Sequence, residues 1–404
     1  MRLALSFAAL FLSIAFMQLS SGSIGPLDVL SGLQEGFTKA EVGLLGSAHF
    51  FGFFIGCWLA PRLMGSVGHN RAFAAFAAFG TIGALAHPLV IEPNAWAVLR
   101  IMTGFSLAGC YTIAEAWLQA KLTNETRGRI LGVYRLVDLG ASLIAQMMIA
   151  FLEPASYVSY NILAILCCAS LLPLMLTRAS PPKAPEAPRL RPLKAIVLSP
   201  LGAAGVLVSG VTAPAFRMAG PIYGQEVGLT ADQIALFLGS AVLGGALAQF
   251  PVGWLADRHD RRWVLIWLSG VAMLVCLSFG LIDQGAPGMI FSASFAFGLI
   301  TFPIFSVSTA HANDFATPEE AVELSSGLMF LYGAGAIASP FLGSILIDTY
   351  GPPALFTMIA AAHLILIVFG FYRMRARRTA PERTAYKYVP RTSFIFGRLS
   401  RRKN

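Results

Sequence analysis

Charge is scarce in this chain. Only 12% of its 404 residues are Asp, Glu, Lys or Arg, against 56% hydrophobic. A water-soluble chain of this length needs a far more polar surface, so a soluble globular domain is excluded. Cysteine is sparse too. The five present (Cys57, Cys110, Cys167, Cys168, Cys276) all lie inside apolar runs. That placement argues against a disulfide framework or a thiolate metal site and leaves them as small packing residues. No Walker loop, zinc-ligand spacing or nucleophile elbow stands in a fitting context, so neither a cofactor nor a catalytic constellation is expected.

Long apolar runs fill the space that charge leaves. Twelve are of bilayer length, at about 3–26, 41–61, 72–91, 95–118, 129–151, 156–177, 197–222, 232–255, 262–282, 286–309, 322–346 and 352–372. Arg2 followed by apolar Leu3–Met17 has the outline of a signal peptide, but with so many later runs it reads as the first span. A Pro-rich, basic stretch from Arg178 to Pro192 is the one internal segment with linker composition. The expected organisation is therefore all-α: a six-span bundle over 1–177, a linker over 178–196, a second six-span bundle over 197–373 and a basic tail over 374–404.

The net charge of +9 belongs to that tail, which holds ten of the 29 Lys/Arg and a single acid, Glu382. The rest of the chain is neutral. The tail suits the anionic inner leaflet of a membrane. Nucleic acid has no recognisable module to bind it. With both termini in the cytoplasm, every Lys/Arg outside the spans except Lys39 falls on the inner side, while Arg100, Arg135 and Arg217 lie within spans. The loop from His311 to Glu323 runs against this trend, with four acids and no base. Acids at the start of a helix are favoured there by its dipole.

Between the eighth and ninth spans five charges crowd into six residues, within Gly253-Trp-Leu-Ala-Asp-Arg-His-Asp-Arg-Arg262. This resembles the loop signature Gly-x-Leu-Ala-Asp-Arg-x-Gly-Arg-Lys of the major facilitator superfamily, with Asp260 where the signature has Gly. Without the resemblance it is a positive-inside turn. A weaker copy, Trp58-Leu-Ala-Pro-Arg62 continuing to Arg71, follows the second span, and Gly132/Gly140 answer Gly327/Gly335 at equal spacing. Two related six-span halves are what an alternating-access transporter requires. Ala108–Leu118, Asn124–Tyr134, Ala310–Asp314 and Ser325–Leu328 are similar to the YcaD-like branch of that superfamily. The resemblance implies a monomeric secondary transporter of a small solute in a bacterial inner membrane. A non-transporting scaffold or receptor working through its basic tail is the rival from another class.

Charges inside a bilayer cost roughly 2.5–3.5 kcal/mol each on insertion scales, so those retained mark a pathway or a structural pair. Arg100 with Gly104 and Ala108 resembles a second superfamily signature linked to proton handling in exporters, and the small residues also permit close helix approach. Arg217 lies between Pro214 and Pro221, on a helix they would bend. Arg100 and Arg217 either face an organic anion together or pair separately with Glu92 and Glu226. Asp138, roughly 13 Å into its span at 1.5 Å per residue, is either a protonation switch or a permanent partner of Arg135. Glu115, paired with Arg135 or Arg129, would tie spans four and five as an inner gate. Gln18 and Tyr111 are candidate cavity polar groups. His49 either titrates or packs. The cytoplasmic gate itself is assigned to Gly253, Asp257, Arg258, Arg261, Arg262, Arg62 and Arg71. Asp257 is expected near the start of the fifth span, whose helix dipole favours an anion, and the arginines on acids of the inner rim. The expected partners are thus a small-molecule substrate, protons and lipid.

Overall fold

The computed structural model describes residues 2–122, 127–176, 191–283, 286–317 and 320–376, together with Thr384, Tyr386, Val389 and Thr392. Most of the expected linker and nearly all the charges of the tail lie outside these residues. The described chain is helical throughout: α1 (Arg2–Gln34), α2 (Lys39–Val67), α3 (His69–Ala86), α4 (Pro93–Lys121), α5 (Arg127–Met148), α6 (Tyr157–Ala169), α7 (Leu171–Met175), α8 (Pro192–Leu198), α9 (Pro200–Glu226), α10 (Ala231–Arg258), α11 (Arg261–Ser278), α12 (Pro287–Asn313), α13 (Ala321–Tyr350) and α14 (Ala354–Ala376). Twelve segments are long and apolar enough to cross a membrane, with α6 and α7 sharing one and α8 too short to count. A polytopic helical membrane protein follows, because in lipid each span must satisfy its backbone polar groups internally.

The first span runs further than expected, to Gln34 rather than residue 26. Pro26 reads as a stop, but a transmembrane helix can continue past a proline where neighbouring helices re-satisfy the backbone. The extension carries Asp28 into the bundle. Residues 192–198, which composition places in the linker, form α8.

The chain divides into two compact units, Met1–Ala187 with Thr392–Asn404, and Pro188–Arg391. In unit 1, α2 packs on α4, α1 on α5, and α3 on both α4 and α6. In unit 2 the same plan recurs: α10 on α12, α9 on α13, and α11 on α12 and α14. The tightest crossing is built alike in both. A Cβ on Gly104 would stand 1.9 Å from the His49 carbonyl oxygen, and one on Gly298 would stand 1.9 Å from that of Ala241. Real side-chain carbons do not approach so closely, so glycine is required at each crossing. Gly132/Gly140 and Gly327/Gly335 match in sequence but not in surroundings. The first pair faces open space, whereas Gly327 backs onto α8 and Gly335 onto α9.

The α8 helix is tied to α13 by charge. The Lys194 ammonium lies 3.1 Å from Glu320 and 3.3 Å from Glu323. Two acids of the 311–323 stretch therefore have a basic partner in space, beyond the helix-start effect. Hydrogen bonding to Lys194 holds Glu320 below its ordinary value, and the same contacts raise Lys194.

Candidate functional site

Unit 1 carries a column of polar side chains along α1, α4 and α5. At its centre the Tyr111 hydroxyl lies 2.5 Å from a carboxylate oxygen of Asp138 and 2.8 Å from the Gln18 amide oxygen. Three candidates from three spans thus meet at one point. Gln18 stands midway along α1 and Asp138 midway along α5. Gln18 and Tyr111 are buried, and Asp138 is partly buried. This trio can exist in two hydrogen-bond orders. With Asp138 protonated, the carboxyl donates to Tyr111, which donates to the Gln18 oxygen. With Asp138 ionised, Tyr111 donates to the carboxylate and a flipped Gln18 amide donates to Tyr111. Tyr111 both donates and accepts in either order, so a proton can be gained or lost without breaking its two contacts.

Toward the α2–α3 turn, Glu115 is fully buried. It accepts a hydrogen bond from the Tyr134 hydroxyl at 2.9 Å and another from the Thr392 hydroxyl. Tyr134, a residue the charge pattern does not single out, thus links α4 and α5 through Glu115. The Arg135 guanidinium sits 5.3 Å from the centre of the Tyr134 ring.

Toward the opposite end lies the partner of Arg100. The partner is not Glu92: the Arg100 Nε is 3.3 Å from Asp28 Oδ2, both side chains 1% exposed. Tyr160 donates to the other oxygen of Asp28 at 2.9 Å, and His87 Nε2 is 3.4 Å from Oδ2. His87 Nδ1 is committed to the Gly83 carbonyl at 2.6 Å, and its ring stacks on Tyr160. Glu92 instead caps α4, accepting from the Ala95 amide at 2.7 Å and from Asn94 at 2.8 Å. Those backbone hydrogen bonds hold Glu92 below the usual carboxylate range. The signal for Asp28 was present, an acid two residues past a proline in an apolar run. Reading Pro26 as a terminus hid it.

Arg217 lies on α9 in unit 2, half-buried between the two prolines. Two further histidines lie within the spans. His49 is buried edge-on to Phe50, and His363 is buried 3.2 Å from Thr212 Oγ1.

In the charged turn of unit 2 the three arginines are held in three different ways. Arg261 is its buried hub, 1% exposed. Its guanidinium reaches Asp314 at 2.6 Å, Asp257 at 3.1 Å, the Ala310 carbonyl at 3.1 Å and the Ala256 carbonyl at 3.2 Å. Arg262 forms a forked pair with Asp260, at 2.6 Å for the closest contact. Asp260 also caps α11 by accepting from the Arg262 amide. The residue that departs from the signature glycine thus has a job of its own. Arg258 lies 4.2 Å over the Trp254 ring, and in unit 1 Arg62 lies 4.3 Å over Trp58. The weaker copy of the motif therefore keeps this cation–π contact. Arg71 is exposed.

Three tail residues rest on this hub. Thr384 donates from its amide to Asp314 at 2.9 Å and accepts from Arg261. The Tyr386 amide donates to Asp257 at 2.7 Å. The Tyr386 ring fills the space where a Cβ on Gly253 would stand, 2.6 Å away. Val389 donates to Ser306 at 3.2 Å. Among the described residues no group of three or more His, Cys, Asp or Glu is placed to hold a metal.

The sequence profile of the Major Facilitator Superfamily matches residues 201–403. An uncharacterized MFS-type transporter of Enterobacter sp. (strain 638) is 26% identical over 336 residues, 83% of this chain and 87% of its own length. The MFS-type transporter YcaD of Escherichia coli O7:K1 is 24% identical over 343 residues, again 83% and 87%. Among solved structures, a variant of the nucleoside transporter NupG has a TM-score of 0.78 at 13% identity, covering 90% of this chain and 98% of that one. A D-xylose-proton symporter has a TM-score of 0.68 at 14% identity, covering 94% and 98%. With the profile on half of the chain and twelve spans in the expected order, this protein belongs to the Major Facilitator Superfamily.

Proposed function

We propose that this transporter is a proton-coupled secondary carrier that moves a small organic solute across a bacterial inner membrane by alternating access, in the export direction, as a monomer with both termini in the cytoplasm. The observation that carries the coupling is the Gln18–Tyr111–Asp138 cluster. It offers one carboxylate midway along a span and a hydrogen-bond network that fits both of its protonation states. Proton coupling is compatible with this fold, since a structural neighbour is a D-xylose-proton symporter. One proton moving down about 150 mV supplies about 3.5 kcal/mol, enough for a several-hundred-fold solute gradient. Export rests on the Arg100-x-x-x-Gly104 signature alone. The charge bias of the loops supports the orientation. Uptake of an organic anion is weakened as a second reading, because Arg100 already has Asp28 within its own bundle.

The test is proton movement. The protein is reconstituted in liposomes with a trapped pH dye and challenged with organic cations, anions and neutral solutes in turn. The expected result is a solute-dependent pH change that Asp138→Asn abolishes, with solute flux down its own gradient retained. A pH change of equal size in Asp138→Asn would remove Asp138 from coupling, and its persistence after Asp28→Asn as well would exclude both carboxylates.

A further inference from the structure

Unit 2 holds a second polar cluster, beside Arg262 of the charged turn. At its α10–α11 end a small pocket, open to solvent, is lined by Ser199, Leu201, Arg262, His311, Phe315 and Arg373. These residues come from the starts of α9 and α11, the end of α12 and the residue pair beyond it, and the last turns of α14. The start of α9 contributes the positive end of a 27-residue helix. Arg262 is balanced by Asp260, but Arg373 has no carboxylate partner among the described residues, so the lining is net cationic.

Ser199 is the informative member. It occupies the cap position of α9, followed by Pro200, where a serine hydroxyl ordinarily accepts from a free amide of the first turn. Here it makes no capping hydrogen bond. The residue is 1% exposed and its Oγ has no partner. A buried hydroxyl left unmatched is costly, so its position beside two guanidinium groups and a helix start points to a guest rich in acceptor oxygens. Phosphate has that chemistry and the geometry that arginine prefers.

The flanking residues indicate what carries the phosphate. Trp263 and Tyr372, the sequence neighbours of Arg262 and Arg373, are 43% and 64% exposed. Trp263 packs edge-on against Phe371, and Trp267 one turn along α11 is also exposed. Aromatic side chains on the outer face of spans, next to arginines, mark the headgroup level of a bilayer. We propose that this pocket binds the phosphate group of an anionic phospholipid such as phosphatidylglycerol, with Arg373, Arg262, Ser199 and the start of α9 holding the phosphate and the acyl chains lying along Trp263 and Trp267. The site is independent of the coupling reading and of the basic tail.

The experiment is native mass spectrometry of the full-length protein released from detergent, paired with thermal unfolding, during titration with phosphatidylglycerol, phosphatidylcholine or inorganic phosphate. One tightly retained phosphatidylglycerol is expected, with a rise in Tm. Phosphatidylcholine, whose choline cation opposes the arginines, is retained more weakly by about tenfold, the effect of about 1.4 kcal/mol. Arg373→Gln weakens retention by a similar factor. Ser199→Ala weakens retention while leaving lipid-free stability equal or higher, because it removes the unmatched hydroxyl. That crossing of the two readouts is not expected of a purely structural serine. A variant with Arg398, Arg401, Arg402 and Lys403 all changed to Gln keeps the tight copy. Unchanged retention in both folded pocket variants, or loss of the tight copy in the tail variant alone, overturns the site. Stabilisation by inorganic phosphate equal to that by phosphatidylglycerol, lost in Arg373→Gln, overturns the lipid assignment in favour of a soluble phosphate.

Discussion

The two bundles share a packing plan and fill the end away from their charged turns in opposite ways. In unit 1 that end holds Asp28, His87, Arg100 and Tyr160, with Trp96 over them. In unit 2 the corresponding helices contribute Phe216, Tyr223, Phe237, Phe279, Phe297 and Phe356, stacked and edge-packed on one another. A duplicated scaffold has been closed once with charge and once with aromatic rings. The aromatic solution is made of many weak, separable contacts. The charged solution is all-or-none, since removing one partner leaves the other buried and uncompensated. Its retention in unit 1, beside the Asp138 cluster, concentrates the titratable chemistry of the spans in one half.

The sharpest way to break this comparison is to remove half of the ion pair. Asp28→Leu is expected to destabilise unit 1 by about 3–5 kcal/mol. Asp28→Leu with Arg100→Leu should recover most of the loss, as measured by thermal unfolding in detergent. In unit 2, Phe237→Ala should cost about 3 kcal/mol, the low end of the large-to-small range, because lipid is as apolar as the core it leaves. No second substitution of a single neighbouring ring should rescue it. Equal rescue in both bundles would erase the distinction.

Smaller effects sharpen it further. Asp138→Asn should change stability by no more than about 1 kcal/mol, since Asn still hydrogen-bonds to Tyr111, yet abolish the response of transport to a pH gradient. Tyr386→Ala opens space over Gly253 and removes a ring from the Asp257–Arg261 hub. Transport should persist, with a change in rate of less than about tenfold, corresponding to under 1.4 kcal/mol. The smallest effect is expected at the exposed tie between α8 and α13. The lowered Glu320 contributes fully above its ordinary 4.5 and loses its contribution as pH falls through its depressed value. The raised Lys194 contributes fully below its ordinary 10.5. Unfolding of Lys194→Ala should therefore track the wild type closely, with any gap constant between those two values and closing in acid.

Membrane spans were legible because hydrophobic length is a local property. Most starts and ends needed only runs of apolar residues between polar breaks, though the second span also continues past Pro61, to Val67. The first span was misjudged at Pro26, where tertiary packing overrides a local stop signal. The candidate site was legible by residue type and illegible by partner. Gln18, Tyr111 and Asp138 could each be singled out as polar groups in apolar surroundings. That they meet is a fact of the α1–α4–α5 packing, with 93 and 27 residues between the bonded pairs. Asp314 was set down as a helix-start acid, because nothing local links it to Arg261, 53 residues away.

What the amino-acid order determined by itself is the number of spans, their alternation and the duplicated charged turn. Each apolar segment of bilayer length must close its backbone hydrogen bonds within itself. Only the tertiary structure decided which charges neutralise one another, Arg100 with Asp28 and Arg261 with Asp314, and that Glu115 takes a hydrogen bond from Tyr134. The reason is physical. A buried charge is tolerated only where a partner from another helix arrives at hydrogen-bond distance, and such arrivals are set by helix packing, not by spacing along the chain.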